Sequence, residues 1–321
     1  MKILLTGASG SFGTAFLAHI FREGLAEKVV AFARGEHRLA ELAERLGHPA
    51  GLHLMVGDVR DPGRIEDAMS RVDTVIHAAA LKRVDAVNSP EEIYKTNVTG
   101  TINVIRSAVR RNVPRVLVIS SDKACEPSTA YGASKLAAEL YAVWANTIGQ
   151  PQCRVSVVRW GNVLGSQGSV IHAWRRQAAR GGPITLTDPE MVRFWLTMPT
   201  AVAFALWALR SMQGGEVFVP RLTSMTLADL AEAFAPRYLK TITGIRVAGE
   251  KRAEVLVSED EARRTALAPG GYIINPVRPS WPYTPRPGVP LKEAYRSDTN
   301  PDRVSIEAMR GWLAGVPEER A

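Results

Sequence analysis

Met1-Lys2-Ile3-Leu4-Leu5-Thr6-Gly7-Ala8-Ser9-Gly10-Ser11-Phe12-Gly13 decides the fold. Its first five residues read as a short buried strand, the next eight carry Gly-x-x-Gly-x-x-Gly, and a helix-like run from Thr14 to Arg22 follows. Glycines at a strand-to-helix turn let the backbone approach a pyrophosphate, which the unpaired N–H groups of the helix amino terminus attract. A glycine triplet alone is only a turn. Its place directly after a strand predicts a dinucleotide site lined by Gly7, Ser9, Gly10, Ser11, Phe12 and Gly13.

The second strand, Lys28 to Arg34, ends without the carboxylate that would accept from a ribose 2′-hydroxyl. Arg34 and Arg38 stand there instead, and a guanidinium fork suits a 2′-phosphate, so NADP is expected, with NAD as the alternative. Leu52 to Val59 and Asp73 to Ala80 read as strands three and four, Val116 to Ser120 as strand five and Cys153 to Trp160 as strand six. Asp58 is placed to meet the adenine amino group, with Val59 beside it. Ala78 and Ala79 are small enough for a cofactor to come close. Helical patterns at Arg64 to Ser70, Pro90 to Asn112 and Tyr131 to Thr147 alternate with these strands. That alternation is the signature of an α/β doubly wound parallel sheet, a Rossmann fold, with its chemistry at the carboxyl ends of the strands.

The rhythm fades after Gly165, so residues 1–165 are expected to form the nucleotide-binding domain. A return of the chain to it around 190–222 is expected, with residues 166–321 as a smaller α/β substrate domain. A chain of 321 residues with 46% hydrophobic content suffices for both. The prolines from Pro269 to Pro290 suggest an extended arm or loop on the smaller domain. The longest apolar run, Ala201 to Leu209, is too short to cross a bilayer, and the amino terminus has no charged leader, so a soluble cytoplasmic protein is expected. Cys125 and Cys153 cannot build a disulfide framework, and the six histidines lack ligand spacing, so no metal is expected. The net charge of +8 is spread over helix faces without aromatic interleaving, which argues against nucleic acid and for a diphosphate-bearing substrate in a basic cleft.

Ser120-Ser121-Asp122-Lys123 and Tyr131-Gly132-Ala133-Ser134-Lys135 carry the chemistry. Tyr131 and Lys135 share a helix face, where the ammonium is expected to lower the phenol pKa and let Tyr131 take an alcohol proton. Asp122 and Lys123 form a second proton-transfer pair, able to serve an elimination of water.

These residues resemble an extended short-chain dehydrogenase/reductase. More narrowly, Ala80-Leu81-Lys82, Lys95-Thr96-Asn97, Ser120-Ser121-Asp122-Lys123-Ala124, Arg159-Trp160-Gly161-Asn162-Val163, Arg193-Phe194-Trp195 and Ser297-Asp298-Thr299-Asn300-Pro301 are similar to the inverting UDP-N-acetylglucosamine 4,6-dehydratases of the pseudaminic acid pathway. The resemblance runs from Met1 to about Leu313, and the Asp-Lys pair is its most specific element, since retaining relatives usually carry Asp-Glu there. It implies that Tyr131 takes the C4 hydroxyl proton as hydride passes to NADP. Lys123 then removes the C5 proton, Asp122 protonates the departing C6 hydroxyl, and hydride returns to C6. Lys123 must be neutral to do so, and Lys135 with the cofactor's positive ring would depress its pKa. Ser121 would hydrogen-bond the C4 oxygen, and Asn97 would order the active-site strand beside the cofactor. Lys82, Asn162, Arg193, Arg246 and Glu250 would line the sugar and UDP site, Lys82 also reaching the cofactor. The family commonly reads Ile-Arg-Pro-Gly-Glu-Lys where this chain has Ile245-Arg246-Val247-Ala248-Gly249-Glu250-Lys251, and Ala253 stands where many relatives carry histidine. The resemblance also implies a homo-oligomer joined through helices of the nucleotide-binding domain. A sugar-nucleotide 4-epimerase, a C5-retaining dehydratase and a non-catalytic cofactor-binding scaffold are the alternatives. An epimerase would share Tyr131 and Lys135 without needing Asp122 and Lys123.

Overall fold

The structure, a computed structural model, describes residues 1–82, 89–149, 152–245 and 250–318. Its main sheet is built by β1 (Lys2–Thr6), β2 (Lys28–Ala33), β3 (Leu52–Val56), β4 (Thr74–His77), β5 (Arg115–Ile119) and β6 (Arg154–Val158), in the order 3-2-1-4-5-6. All six are parallel. The inner strands are continuous apolar runs because helices cover both faces of the sheet. Ile3, Leu4, Leu5, Val75, Ile76, Val116, Leu117 and Val118 are fully buried.

The covering helices are α1 (Ser11–Arg22), α2 (Glu36–Leu46), α3 (Pro62–Ala68), α4 (Pro90–Tyr94), α5 (Gly100–Arg110) and α6 (Ala130–Trp144). The single helix expected over Pro90 to Asn112 is interrupted by a π-helical turn at Lys95–Thr99. Such a bulge rotates the side chains that follow it and is frequent at functional sites. Asn97 sits within it.

The sheet does not end at β6. Strand Val217–Val219 adds to it in parallel, and the hairpin of Gly271–Ile274 and Thr265–Ala268 closes that edge antiparallel. The proline-rich segment therefore departs from expectation: its first part is a strand of the large sheet. The remainder lies against the same sheet edge, with Trp281 Nε1 donating to Gly214 O at 3.1 Å and Arg286 Nη2 3.6 Å from buried Glu216. Apolar residues between the prolines, such as Tyr272, Ile273 and Ile274, outweighed the proline signal.

A second core of Leu164, Ile171, Trp174, Ile184, Met191, Trp195, Leu230 and Met309 forms away from this sheet. It includes helix Val170–Ala179, helix Leu227–Phe234 and helix Ile306–Ala314. The apolar run from Ala201 to Leu209 is the buried heart of helix Met198–Ser211. Among the described residues no helix is long and apolar enough to cross a membrane.

Candidate active site

The turn after β1 is shaped by two glycines. Gly7 has φ +71°, and a Cβ there would lie 2.7 Å from Ala79 N and 2.8 Å from Ala78 O. At Gly13, in the first turn of α1, a Cβ would lie 2.5 Å from Gly7 O. A side chain at Gly7 would push the loop off the residues that follow β4, and one at Gly13 would push α1 off the loop, so this backbone forms the open, anion-attracting cradle that a dinucleotide diphosphate needs. Ser9, Gly10, Ser11 and Phe12 complete it; Ser11 Oγ accepts from Gln167 N at 2.8 Å, and the Phe12 ring lies 5.3 Å from that of Trp160.

Arg34 and Arg38 are both exposed past the end of β2. Arg34 is close enough to Asp58 to favour its carboxylate. Asp58 itself is held by Arg60, which donates through Nε at 2.9 Å and Nη2 at 2.7 Å, and this pairing keeps its carboxyl below the usual range although burial opposes it. Val59 is buried against Gly100.

Asn97 Oδ1 accepts from Leu81 N at 2.8 Å, and its Nδ2 donates to Leu81 O and Ser134 Oγ, both at 2.9 Å. Ser134 Oγ donates in turn to Tyr131 O. The asparagine thus ties the segment after β4 to α6. Lys82 follows this anchor, exposed, with Nζ 3.5 Å from Ser166 Oγ.

Beyond β5 the chain makes a 3-10 turn, Asp122–Ala124. Ser121 caps it, accepting from Lys123 N at 3.2 Å and donating to Asp122 Oδ1 at 2.8 Å. Helix α6 packs close over the turn because residue 132 is glycine; a Cβ there would collide with the Lys123 carbonyl. This contact brings Tyr131 to Ser121, with which its hydroxyl is hydrogen-bonded.

Lys123 Nζ stands between two carboxylates, 2.9 Å from Asp122 Oδ2 and 2.9 Å from Glu254 Oε1. Both carboxyl side chains are almost wholly buried. Burial alone would discharge the lysine, but Asp122 and Glu254 outweigh it and hold its ammonium above the ordinary range despite Arg193 nearby. This corrects the expectation of a depressed Lys123 pKa: Glu254, distant in sequence, is a second anion beside the ammonium. Tyr131 is likewise raised: burial is the largest cause, and the Ser121 hydrogen bond and Lys123 only oppose it. The expected lowering by Lys135 is absent because Lys135 Nζ donates to Ile119 O at 2.6 Å. Burial brings the Lys135 amine down to about 8, against Glu139.

Of the expected substrate residues, Arg193 is brought beside the catalytic pair, its Nε 3.6 Å from Glu254 Oε1. Asn162 is half-buried in strand Asn162–Val163. Arg193 turns inward, donating to the carbonyls of Val192, Lys251 and Arg252, so its first task is to hold that backbone. Arg246 lies outside the described residues, and Glu250 follows directly after that gap. Among the described residues no three His, Cys, Asp or Glu side chains are grouped to share a metal ion.

The family described as polysaccharide biosynthesis protein matches residues 3–276. The chain belongs to this family. Among its relatives, a UDP-N-acetylglucosamine 4,6-dehydratase (inverting) of Campylobacter jejuni is 40% identical over 278 residues, 86% of this chain and 83% of that one. A UDP-glucose 4-epimerase of Rickettsia typhi is 36% identical over 280 residues, 84% of this chain and 81% of that one. The solved structure of Pen from Bacillus thuringiensis superposes with a TM-score of 0.89 at 31% identity, covering 98% of both chains. This polysaccharide biosynthesis family member also shares its fold with a dTDP-glucose 4,6-dehydratase of Streptomyces venezuelae solved with NAD, at TM-score 0.69 and 22% identity over 78% of this chain and 86% of that one. The expected extended short-chain dehydrogenase/reductase architecture is borne out.

Proposed function

We propose that the protein is an inverting 4,6-dehydratase of UDP-N-acetylglucosamine that uses NADP and releases a UDP-4-keto-6-deoxy-L-arabino-hexosulose. The observation that carries this reading is the Asp122–Lys123 pair at 2.9 Å, linked through Ser121 to Tyr131 at the end of β5. The 40% identity to the Campylobacter jejuni enzyme supports the substrate. Residues 1–165, with the strands that rejoin their sheet, would bind the cofactor in the Gly7–Gly13 cradle, and most of 166–321 would bind the sugar nucleotide. The exposed Arg34 and Arg38 suit a 2′-phosphate.

A nicotinamide, when bound, supplies the hydride chemistry at C4 and C6. The chain's own groups move the protons. Tyr131 would take the C4 hydroxyl proton as its phenolate, a form that a bound cationic nicotinamide would favour against the burial that raises the phenol, with Ser121 holding the oxygen. Lys123 then passes a proton from Nζ to Asp122 Oδ2: an N–H bond breaks, an O–H bond forms and nitrogen keeps the pair. One transfer makes the amine that removes the C5 proton and the acid that gives a proton to the departing C6 hydroxyl. Elimination returns both groups to their charged forms, so the pair starts and ends the step alike. Exposed Leu140, Trp144 and Ile148 on and after α6 support assembly with a second copy of the chain.

The test is NMR of the purified protein with UDP-N-acetylglucosamine in deuterated water. A 6-deoxy-4-keto sugar with deuterium at an inverted C5 is expected. Retention at C5 overturns the stereochemical part. Epimerisation at C4 with C6 intact would establish the second reading, favoured by the 36% identity to UDP-glucose 4-epimerase.

A further inference from the structure

Glu254 belongs to none of the steps above, yet it lies as near Lys123 Nζ as Asp122 does. Its side chain is 1% exposed, and Oε2 has no hydrogen-bond partner among the described residues. An unpaired buried carboxylate oxygen is costly, so its place is fixed by something stronger than chance packing. The backbone supplies that force. Glu254 N donates to Ser297 Oγ at 2.8 Å, Ser297 N donates to Glu254 O at 2.9 Å, and Ser297 Oγ donates to Val192 O at 2.9 Å. Arg193 adds Nε at 3.6 Å from Glu254 Oε1.

A lysine amine on four rotatable bonds is not aimed by a single neighbour in its own turn. Fixing such a side chain costs rotamer entropy, and a second anion on a separate element selects one direction. Resting on the dehydratase reading, we propose that Glu254 is a positioning residue for the elimination: clamped by Ser297, it orients the Lys123 amine toward C5 and restrains its proton until substrate is bound. The charged and titratable groups facing Lys123 are Asp122 from its own turn, Glu254 from strand Val255–Val257's leading edge, Arg193 from strand Val192–Leu196 and Tyr131 from α6. Removing Glu254 takes away one of the two groups that favour the ammonium, so Lys123 must titrate at lower pH.

Glu254→Ala and Glu254→Gln test this, with C4 oxidation followed by nicotinamide absorbance and elimination by deuterium wash-in at C5. The alanine variant is expected to slow wash-in by at least about tenfold and to leave C4 oxidation within about threefold. The glutamine, which keeps an oxygen for Nζ, recovers part of that rate, and both variants move the inflection of the wash-in profile to lower pH. Wild-type wash-in with an unmoved inflection in the alanine variant overturns the proposal. So does an equal loss of oxidation and wash-in, which marks a merely structural role. If the wild type leaves the sugar nucleotide unchanged, the substrate reading fails by itself. Competitive acetylation of Lys123 against pH then decides: labelling shifted to lower pH in both variants supports the link, and coincident profiles refute it.

Discussion

Arg159 Nη2 lies 2.6 Å from Glu139 Oε2, and both side chains are 2% exposed. The same guanidinium reaches Glu261 at 2.8 Å and donates to Leu256 O at 3.0 Å. It therefore joins the end of β6, helix α6 and the segment that carries Glu254. Burial works against the Arg159 charge, but the two carboxylates more than restore it. Taking one partner from such a cluster leaves a buried charge uncompensated, at a cost of about 3–5 kcal/mol. Glu139→Ala is therefore expected to lower the thermal midpoint by many degrees. It should also reduce activity, since Glu139 lies one turn beyond Lys135. Thermal unfolding of the variant checks this; an unchanged midpoint would show that solvent or a neighbour replaces the lost carboxylate.

Lys135 carries the opposite energetics. The amine is buried and its pKa falls from 10.5 to about 8. Between these values the unfolded chain binds a proton that the folded chain has released, so this group makes stability rise with pH through that window. Below pH 8 it is a burden that Lys135→Met removes, less the hydrogen bond to Ile119 O. The net gain should be on the order of 1 kcal/mol at pH 7, shrinking toward pH 10. Urea unfolding at the two pH values measures it. A methionine variant less stable by the same margin at both would refute the charge-burial account. Activity should be lost in either case.

Much of this was legible in the sequence. Met1 to Gly13 dictated a strand, a cradle and a helix, and the structure has β1, the turn and α1 there. Apolar runs gave the parallel strands to within a few residues, because a strand buried on both faces has no polar alternation to confuse it. The Asp122–Lys123 and Tyr131–Lys135 pairs are local, and local spacing can be read. What escaped is long-range. Glu254 is a single carboxylate before a three-residue strand, and nothing nearby in sequence announces Lys123. The same holds for Arg159, whose partners Glu139 and Glu261 lie on separate elements. The two pKa expectations failed for that reason: the one for Tyr131 missed its burial, and the one for Lys123 missed the carboxylate of Glu254, distant in sequence.

Gly13→Ala probes the cradle. Its Cβ would sit 2.5 Å from Gly7 O and 2.6 Å from Ala8 O, both backbone atoms that cannot rotate away. The loop must move, and with it the N–H groups that would meet a diphosphate. Affinity for reduced nicotinamide dinucleotide, followed by fluorescence titration, is expected to fall at least about tenfold, roughly 1.4 kcal/mol. Undiminished binding would mean that the diphosphate lies elsewhere.

Arg34→Ala addresses the choice of dinucleotide. The guanidinium is exposed and forms no close ion pair among the described residues, exerting only a longer-range pull on Asp58. A charge-assisted contact to a 2′-phosphate contributes about 1.5–3 kcal/mol, so the variant should lose roughly tenfold or more in NADP affinity while NAD binding stays close to its original value. Calorimetry with both dinucleotides would reject the assignment if the two affinities fell together.

On the proposed dehydratase reading, Asp122→Asn separates the two halves of the reaction. The amide keeps an oxygen for Ser121 Oγ or Lys123 Nζ, but it can neither accept the Lys123 proton nor give one to a departing hydroxyl. Tyr131 and Lys135 are untouched, so C4 oxidation should persist and a reduced nicotinamide should accumulate on mixing with the sugar nucleotide. Elimination should slow by about 10²–10⁴-fold, the usual worth of a positioned acid or base. With one carboxylate gone, the remaining anion beside Lys123 is Glu254, and the lysine should titrate at lower pH than in the native protein. An epimerase makes the contrary prediction. Its turnover would survive Asp122→Asn with no accumulation of reduced cofactor, because no proton at C5 or hydroxyl at C6 is involved.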